Sequence, residues 1–448
     1  MNKKSDFILI VLLAAAGCLR LYNLGIGDLV TDEAKTALGI AYPHSLVLPS
    51  LAVASQRILG VSEWAVRFPF AVFGMITVWL WYGIGKLLKG KNFGLVLASF
   101  AAIIPTNVIL SRTAYLDTPV VLVWLVVLYY WLKLEQNTNQ EKSTNNWWLW
   151  FWLAVAPWVK LQAVYVHMIL GLIIVYQNKG RFWRDPRLWL LALSLVPIIG
   201  YVLGQPQQLY DIYSYVTQQS NGVRGPGLWP FVSTLGYWLW PFLFFCLIGC
   251  WSLVKNNRSE VRKYIPFFGV GGLSLIFSIL GTRQLYYLAL IDPLVIVGVG
   301  LGVLYGYEKY KKITYLAGVL VVAWSGFIII NQTSIRTNFC TGPLDFCYWQ
   351  RAQTGDTWLD VFSRSSEKKY TYFLGDGLGY TPKWMLTQET KKLDALPYWL
   401  RNHPHESAVV LTTARETIPA ESTQQRTVLS DAVMKLVIIS PVTFGKAQ

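Results

Sequence analysis

The sequence predicts an α-helical polytopic membrane protein of about eleven transmembrane helices with a small C-terminal extracytoplasmic α/β domain, and three observations carry that prediction. The 448 residues are 54% hydrophobic and 14% charged, with mean hydropathy +0.39, against roughly 45–50% and 25% in soluble domains. Apolar runs of spanning length recur along the first three quarters of the chain. Crossing a hydrocarbon core of roughly 30 Å takes about twenty apolar helical residues, because lipid cannot satisfy a bare backbone. The 21 Trp and 25 Tyr residues suit the two membrane interfaces, where a ring with one polar end sits half in water.

In chain order the spans fall near 7–25, 66–88, 93–111, 117–134, 147–159, 161–178, 187–204, 231–254, 264–282, 284–306 and 313–330. A secretory signal is the rival reading of the first run, but its apolar stretch continues from Leu19 to Leu24 and ten more spans follow. The stretch from Trp147 to Gln177 is read as two spans because Pro157 and Lys160 interrupt its middle.

Basic residues fix an orientation. Lys3 and Lys4, then the groups around Lys89, Lys133, Arg184, Arg262 and Lys311, occupy alternate loops and total eighteen, whereas the other side holds seven before residue 331. Lysine and arginine hold short loops in the cytoplasm, so the N-terminus is predicted inside and residues 331–448 outside. The same loops account for the net charge of +15. The charge therefore points to membrane lipids as partners and not to nucleic acid.

The chain divides into a transmembrane part, 1–330, with a first outer loop at 26–65, and an outer part, 331–448. In the latter, β-like runs appear at Tyr370–Leu374, Val409–Thr412 and Leu436–Ser440, and helix-compatible segments at Thr381–Thr390 and Lys392–Asn402. Cys18, Cys246 and Cys250 fall in apolar runs and are expected to be small inert hydrophobes. Cys340 and Cys347 are a disulfide candidate if their segment faces an oxidising compartment. His403 and His405 form an isolated His-x-His with no third metal ligand evident.

Uncommon polar residues gather near the predicted outer surface: Asp32, Glu33, Lys35, Arg67, Arg112, Asp117, Lys160, Arg283, Tyr286 and Tyr287. Ionisable groups in or beside lipid are expensive, so both signs on one face read as a functional site, against the plainer reading of solvated loop charges. Asp32-Glu33 opens TDEAKTALGIAY, where Thr31 can cap a helix whose apolar face carries Ala34, Ala37, Leu38 and Ala41. Adjacent acids suit a helix start. They also suit a general base or a metal ligand. Arg67 is expected to hold this loop to the second span through Glu63, four residues earlier.

The order of these features resembles the GT-C glycosyltransferase superfamily, in the branch of the protein O-mannosyltransferases and the lipid A aminoarabinose transferase. The matching segments are LRLYNLG at 19–25, TDEA at 31–34, GVSEWAVRFP at 60–69, SRTAYLDTP at 111–119, WVKLQA at 158–163 and TRQLYYLALIDP at 282–293. Where many relatives carry His-Pro-Pro or Lys-Pro-Pro in the first loop, this chain has AYPHSLVLPS, with His44 and Pro49. The resemblance implies transfer of a sugar from a polyprenyl-phosphate donor to an acceptor hydroxyl outside the cytoplasm, with inversion. It implies Asp32 as base, with Glu33 and Asp117 orienting the acceptor, and Asp32 with Asp117 as the ligands if a divalent cation takes part. Lys160 and Arg283 are then the leading donor-phosphate ligands, followed by Lys35 and Arg112, with Tyr286 or Tyr287 donating a hydrogen bond. A transporter or lipid-linked-sugar flippase is the rival from another class, and a structural or interaction protein working through its outer domain is a third.

Overall fold

The computed structural model describes residues 3–25, 32–39, 47–136, 147–205, 228–255, 261–280 and 285–333, the single positions 29, 45 and 210, and strands at 371–374, 390–392, 408–413, 424–430 and 434–440. The first apolar run is helix α1 (Lys3–Leu21). The first outer loop carries two short helices, α2 (Asp32–Ala37) and α3 (Leu48–Leu59). α2 ends at Ala37, and Gly39 adopts φ +69°, a conformation that turns the chain; Ala41, expected on its apolar face, lies outside the described residues. α3 is a helix the sequence reading did not assign. Pro49 stands in its first turn, where a missing N–H costs nothing. Leu48, Ala52, Ser55 and Gln56 are its buried side.

α4 (Glu63–Lys89) starts where Ser62 accepts a hydrogen bond from Ala65 N. Gly90, at φ +92°, turns the chain into α5 (Lys91–Ile103), and Gly85 meets Gly94 so closely that a Cβ on either would strike backbone. At Ile104-Pro105 the chain breaks and bends by 55° into α6 (Pro105–Ser111). Next come α7 (Asp117–Gln136) and α8 (Trp147–Val159). Lys160 is extended (φ −164°, ψ 147°), and after a 3-10 turn over Leu161–Val164 the chain resumes as α9 (Tyr165–Asn178). α10 (Pro186–Leu203), α11 (Leu228–Lys255), α12 (Ile265–Leu280), a 3-10 segment Leu285–Ile291, α13 (Asp292–Lys309) and α14 (Lys311–Thr333) complete the helices.

Seven of these stretches are long and apolar enough to cross a membrane, and the bent pair α5 and α6 makes an eighth. That is the build of a polytopic membrane protein. The eleven predicted spans each fall on a helix, but α8 and α12 are only 13 and 16 residues long, and α1 carries Lys3, Lys4, Asp6 and Arg20. α7 and α13 are the most buried spans and α10 the least. On α10 the residues Trp189, Leu193, Val196, Ile199 and Leu203 form an exposed stripe at helical spacing, a surface suited to lipid. The remaining strands form a five-stranded sheet in the order β2-β1-β3-β5-β4. β1 (Thr371–Leu374) is parallel to β2 (Thr390–Lys392) and β3 (Ala408–Thr413); β5 (Met434–Ser440) is antiparallel to β3 and to β4 (Gln424–Ser430). β1, β3 and β5 are the predicted runs. β2 occupies the junction of the two helix-compatible segments, whose other residues lie outside the described ones.

α11 and α13 pack through glycine. A Cβ at Gly249 would overlap the backbone of Gly298, and one at Gly302 the backbone of Phe245. Small residues let spanning helices approach closely where lipid provides no hydrophobic force between them. Gly302→Leu is expected to cost about 3 kcal/mol, the upper part of the usual overpacking range, read as a lower unfolding midpoint in detergent, whereas Gly318→Leu, at an open position, should leave it near the wild-type value.

Candidate functional site

The buried charges of the bundle collect at one end. α1 finishes there at Arg20, α4 begins there around Arg67, α6 leads into Arg112, α7 begins at Asp117, the α8–α9 break carries Lys160, and α13 begins at Asp292. The helices run alternately toward and away from this end, so residues far apart in sequence meet at one level.

The first loop is held by Glu33, which is fully buried. Its two carboxylate oxygens accept from Arg67 Nε and Nη2, each at 3.0 Å, and Oε1 also accepts from Ala114 N at 2.8 Å. Arg67 further donates to the Leu24 carbonyl at 3.3 Å. The partner of Arg67 is therefore Glu33, thirty-four positions away, and not Glu63. The expectation failed because it used local helical spacing alone, whereas a buried guanidinium takes the carboxylate that can meet it with two parallel bonds. Glu33 thus ties together α2, α4 and the loop before α7.

Arg112 closes the end of α1. It donates to the carbonyls of Leu19, Arg20 and Asn23 at 2.9, 3.2 and 3.3 Å, groups that a helix terminus leaves without internal partners. Burial, reinforced by the nearby charge of Arg67, lowers its pKa to about 10. It remains a cation at neutral pH.

One layer deeper lies Arg20, fully buried. Pro105 has no N–H, so the Ala101 carbonyl loses its helical partner at the α5–α6 bend. Arg20 replaces that partner, donating to Ala101 O at 3.1 Å and Ala102 O at 3.3 Å, and to Asn107 Oδ1 at 2.6 Å. Gly74 leaves the room this needs, since a Cβ there would press on Arg20 Nε and Ser111. Thr106, beside Asn107, donates to Asp292 Oδ1 at 2.5 Å. Sequence reasoning quoted Arg20 and Asp292 within matching segments but gave them no role. The available signal was a charge inside an apolar run, opposite a proline.

The predicted pair Asp117 and Lys160 meet directly. Lys160 Nζ donates to Asp117 Oδ1 at 2.8 Å, and both side chains are almost fully buried. The ammonium also stands 5.0 Å from the centre of the Tyr287 ring, while Gln162 donates to the Tyr287 hydroxyl at 3.4 Å. Lys160 is the extended residue between α8 and the 3-10 turn that leads into α9, and that connection places its side chain against the start of α7. Asp32 begins α2 next to Glu33; its side chain lies outside the described residues, as do Arg283, the Tyr286 side chain, Cys340 and Cys347. Lys35 is half-buried on α2. Among the described residues no three His, Cys, Asp or Glu side chains converge to hold a metal ion, and at Asp117 a lysine ammonium stands where a cation would be held.

This geometry belongs to a known architecture. A family model of dolichyl-phosphate-mannose-protein mannosyltransferases matches residues 43–203, the part that contributes Arg67, Arg112, Asp117 and Lys160. No curated protein sequence matches. The fold is similar to that of ArnT from Cupriavidus metallidurans bound to undecaprenyl phosphate, with TM-score 0.68 at 14% identity over 96% of this chain and 97% of that one. The apo form of the same protein gives 0.70 at 12%, with the same coverage. The apo oligosaccharyltransferase of Archaeoglobus fulgidus gives 0.52 at 12%, over 87% of this chain and 60% of that one. The chain therefore has the GT-C fold, and within it the resemblance is to the protein mannosyltransferase and ArnT branch.

The Glu33–Arg67 pair invites a double-mutant cycle. Glu33→Gln and Arg67→Gln are each expected to lower stability by about 3–5 kcal/mol, because each leaves a buried partner uncompensated. The double variant should lose clearly less than the sum. Additive losses in denaturant titrations of purified protein would show that the pair is not coupled.

Proposed function

We propose that this protein is an inverting glycosyltransferase that moves a sugar from a polyprenyl-phosphate donor to an acceptor hydroxyl outside the cytoplasm. The observation that carries the proposal is the Lys160–Asp117 pair at the extended connection between α8 and α9, beside Tyr287 and near a first loop locked by Glu33. ArnT, whose fold is similar, binds undecaprenyl phosphate, and a lipid phosphate needs a cation at the edge of the bilayer. In our reading the bundle has eleven spans with the N-terminus inside, and residues 331–448 form an outer α/β unit.

The roles follow from how the described groups are held. Glu33 is committed to Arg67 and Ala114, so it positions the loop and Asp32, next to it, acts as base. Asp32 takes the proton of the acceptor hydroxyl as that oxygen attacks the anomeric carbon, and the bond from that carbon to the phosphate oxygen breaks on the opposite side. Lys160, joined by Arg283, receives the negative charge released onto the lipid phosphate. A cation already in place needs little reorganisation when that charge develops. Asp117 holds the ammonium at that position, and Tyr287 supplies an aromatic wall. The acceptor is a protein, lipid or glycan hydroxyl and the sugar a hexose or pentose.

A flippase would set its charged groups near the bilayer midplane and repeat them in two halves. The buried charges here gather at one end instead.

Membranes carrying the protein should transfer sugar from a polyprenyl-phosphate donor, and Asp32→Asn should lower turnover by about 10²–10⁴-fold, the usual contribution of a general base, with donor binding retained. Mass spectrometry of lipid-linked sugars that accumulate without the protein would name the sugar. A folded Asp32→Asn variant with near-normal turnover would remove the base assignment. Movement of lipid-linked sugar across vesicles without any transfer would favour the flippase.

A further inference from the structure

The far end of the bundle holds a second polar constellation that the transfer reaction does not use. α7 begins at Asp117 and ends at Gln136, so with about 1.5 Å rise per residue this end lies roughly 30 Å from Asp117. Among the described residues a cavity of about 340 Å³ opens there, lined by Leu132, Glu135, Gln136, Gln177, Arg187, Arg262 and Lys263. These come from the end of α7, the end of α9, the start of α10 and the turn before α12. Three cations face one carboxylate.

Arg187 is built into this cavity. Asp185 accepts from its Nε at 3.0 Å and its Nη2 at 2.6 Å, and Gln177 Oε1 accepts from Nη2 at 3.3 Å. Its guanidinium lies 5.6 Å from the centre of the buried Trp131 ring. Burial raises the cost of ionising Asp185, but the hydrogen bonds from Arg187 more than offset it and keep that carboxyl below its ordinary value. Glu135 does not take the guanidinium; it accepts from Gln177 Nε2 at 3.0 Å and so fixes the amide that Arg187 uses. The Nη1 edge of Arg187 makes no hydrogen bond to the described residues. The result is a guanidinium fixed along one edge with the other edge open, the form in which arginine takes up phosphate oxygens. Arg262 is exposed and Lys263 half-buried at the same rim.

The depth of the cavity says where the phosphate comes from. Tyr176, Trp183 and Trp189 are large exposed aromatics at the ends of α9 and α10, and Trp189 Nε1 donates to the Trp183 carbonyl at 2.7 Å. Rings with one polar edge mark the level of the lipid headgroups. Beyond Trp189, the bare apolar stripe of α10 runs toward the other end, along which acyl chains can lie.

We propose that this cavity binds the phosphate headgroup of an anionic phospholipid in the leaflet opposite the transfer site, with Arg187 as its fixed ligand and Arg262 and Lys263 closing the rim. A lipid held there braces the ends of α7 and α9, whose opposite ends lie at Asp117 and beside Lys160.

Native mass spectrometry of the purified full chain with equimolar phosphatidylglycerol and phosphatidylcholine tests this. Wild type should retain the anionic lipid about tenfold over the neutral one, and the rim variant R262Q/K263Q should bring that preference close to parity, each basic residue contributing to attraction at an anionic surface. The control K311Q/K312Q removes two charges from the start of α14 without touching the cavity and should keep the preference. Arg187→Lys keeps charge but not the fork and should lower the preference as well. Equal retention of both lipids by wild type, an unchanged preference in R262Q/K263Q, or an equal loss in K311Q/K312Q would overturn the proposal. Inorganic phosphate that binds wild type as tightly as the lipid does would overturn the lipid assignment in favour of a soluble phosphate.

Discussion

A backbone that breaks inside a membrane protein must find partners for the groups it frees, and that constraint organises the whole bundle. Lipid offers none, so an unsatisfied carbonyl there costs several kcal/mol. Three breaks or ends occur at one face; arginines serve the carbonyls of two of them, and a lysine paired with a carboxylate stands at the third. Arg20 reaches the carbonyls released by Pro105, Arg112 covers the end of α1, and Lys160 stands in the gap between α8 and α9. The cations in turn require anions or dipoles, which brings Glu33, Asp117 and Asn107 to the same level. The bends and the charges are thus one feature.

The arrangement also explains why the proposed chemistry sits where it does. Charges that are already fixed by their own hydrogen bonds cannot relax when a substrate charge develops nearby, and such preorganisation is the main electrostatic resource of an enzyme site. Arg67, Arg112 and Arg20 are each committed to structure by several hydrogen bonds to backbone carbonyls or buried side chains. Lys160 pairs with the Asp117 carboxylate and stands against the Tyr287 ring.

Much of this was legible in the sequence because hydropathy and loop charge report on lipid directly. The apolar helices are legible in composition, though only seven of them, or eight with the bent pair, have the length and hydropathy of a span, and the interruption at Lys160 is legible from a proline and a lysine in one apolar run. Asp117 and Lys160 were both named as site residues, but their pairing was not readable, since 43 positions and two helix ends separate them. Glu33 and Arg67 show the same limit: the i, i+4 rule offered Glu63, and tertiary packing supplied a better carboxylate. Helix α3 is harder to read: Pro49 and the spacing of Leu48, Ala52, Ser55 and Gln56 mark it, but it is too short to span and sits in a segment whose hydropathy reads as loop. β2 and β4 were missed because Thr390–Lys392 and Gln424–Ser430 are largely polar strands whose pairing comes from neighbours.

The central claim is that the cation between α8 and α9 receives a lipid phosphate. Its most direct test is the affinity of undecaprenyl phosphate for purified protein in nanodiscs, compared between wild type and Lys160→Met, with folding checked by thermal unfolding. Loss of one charge-assisted contact, worth about 1.5–3 kcal/mol, predicts a weakening of roughly 10- to 100-fold. Equal affinity in the two proteins, with Lys160→Met folded, would contradict the account.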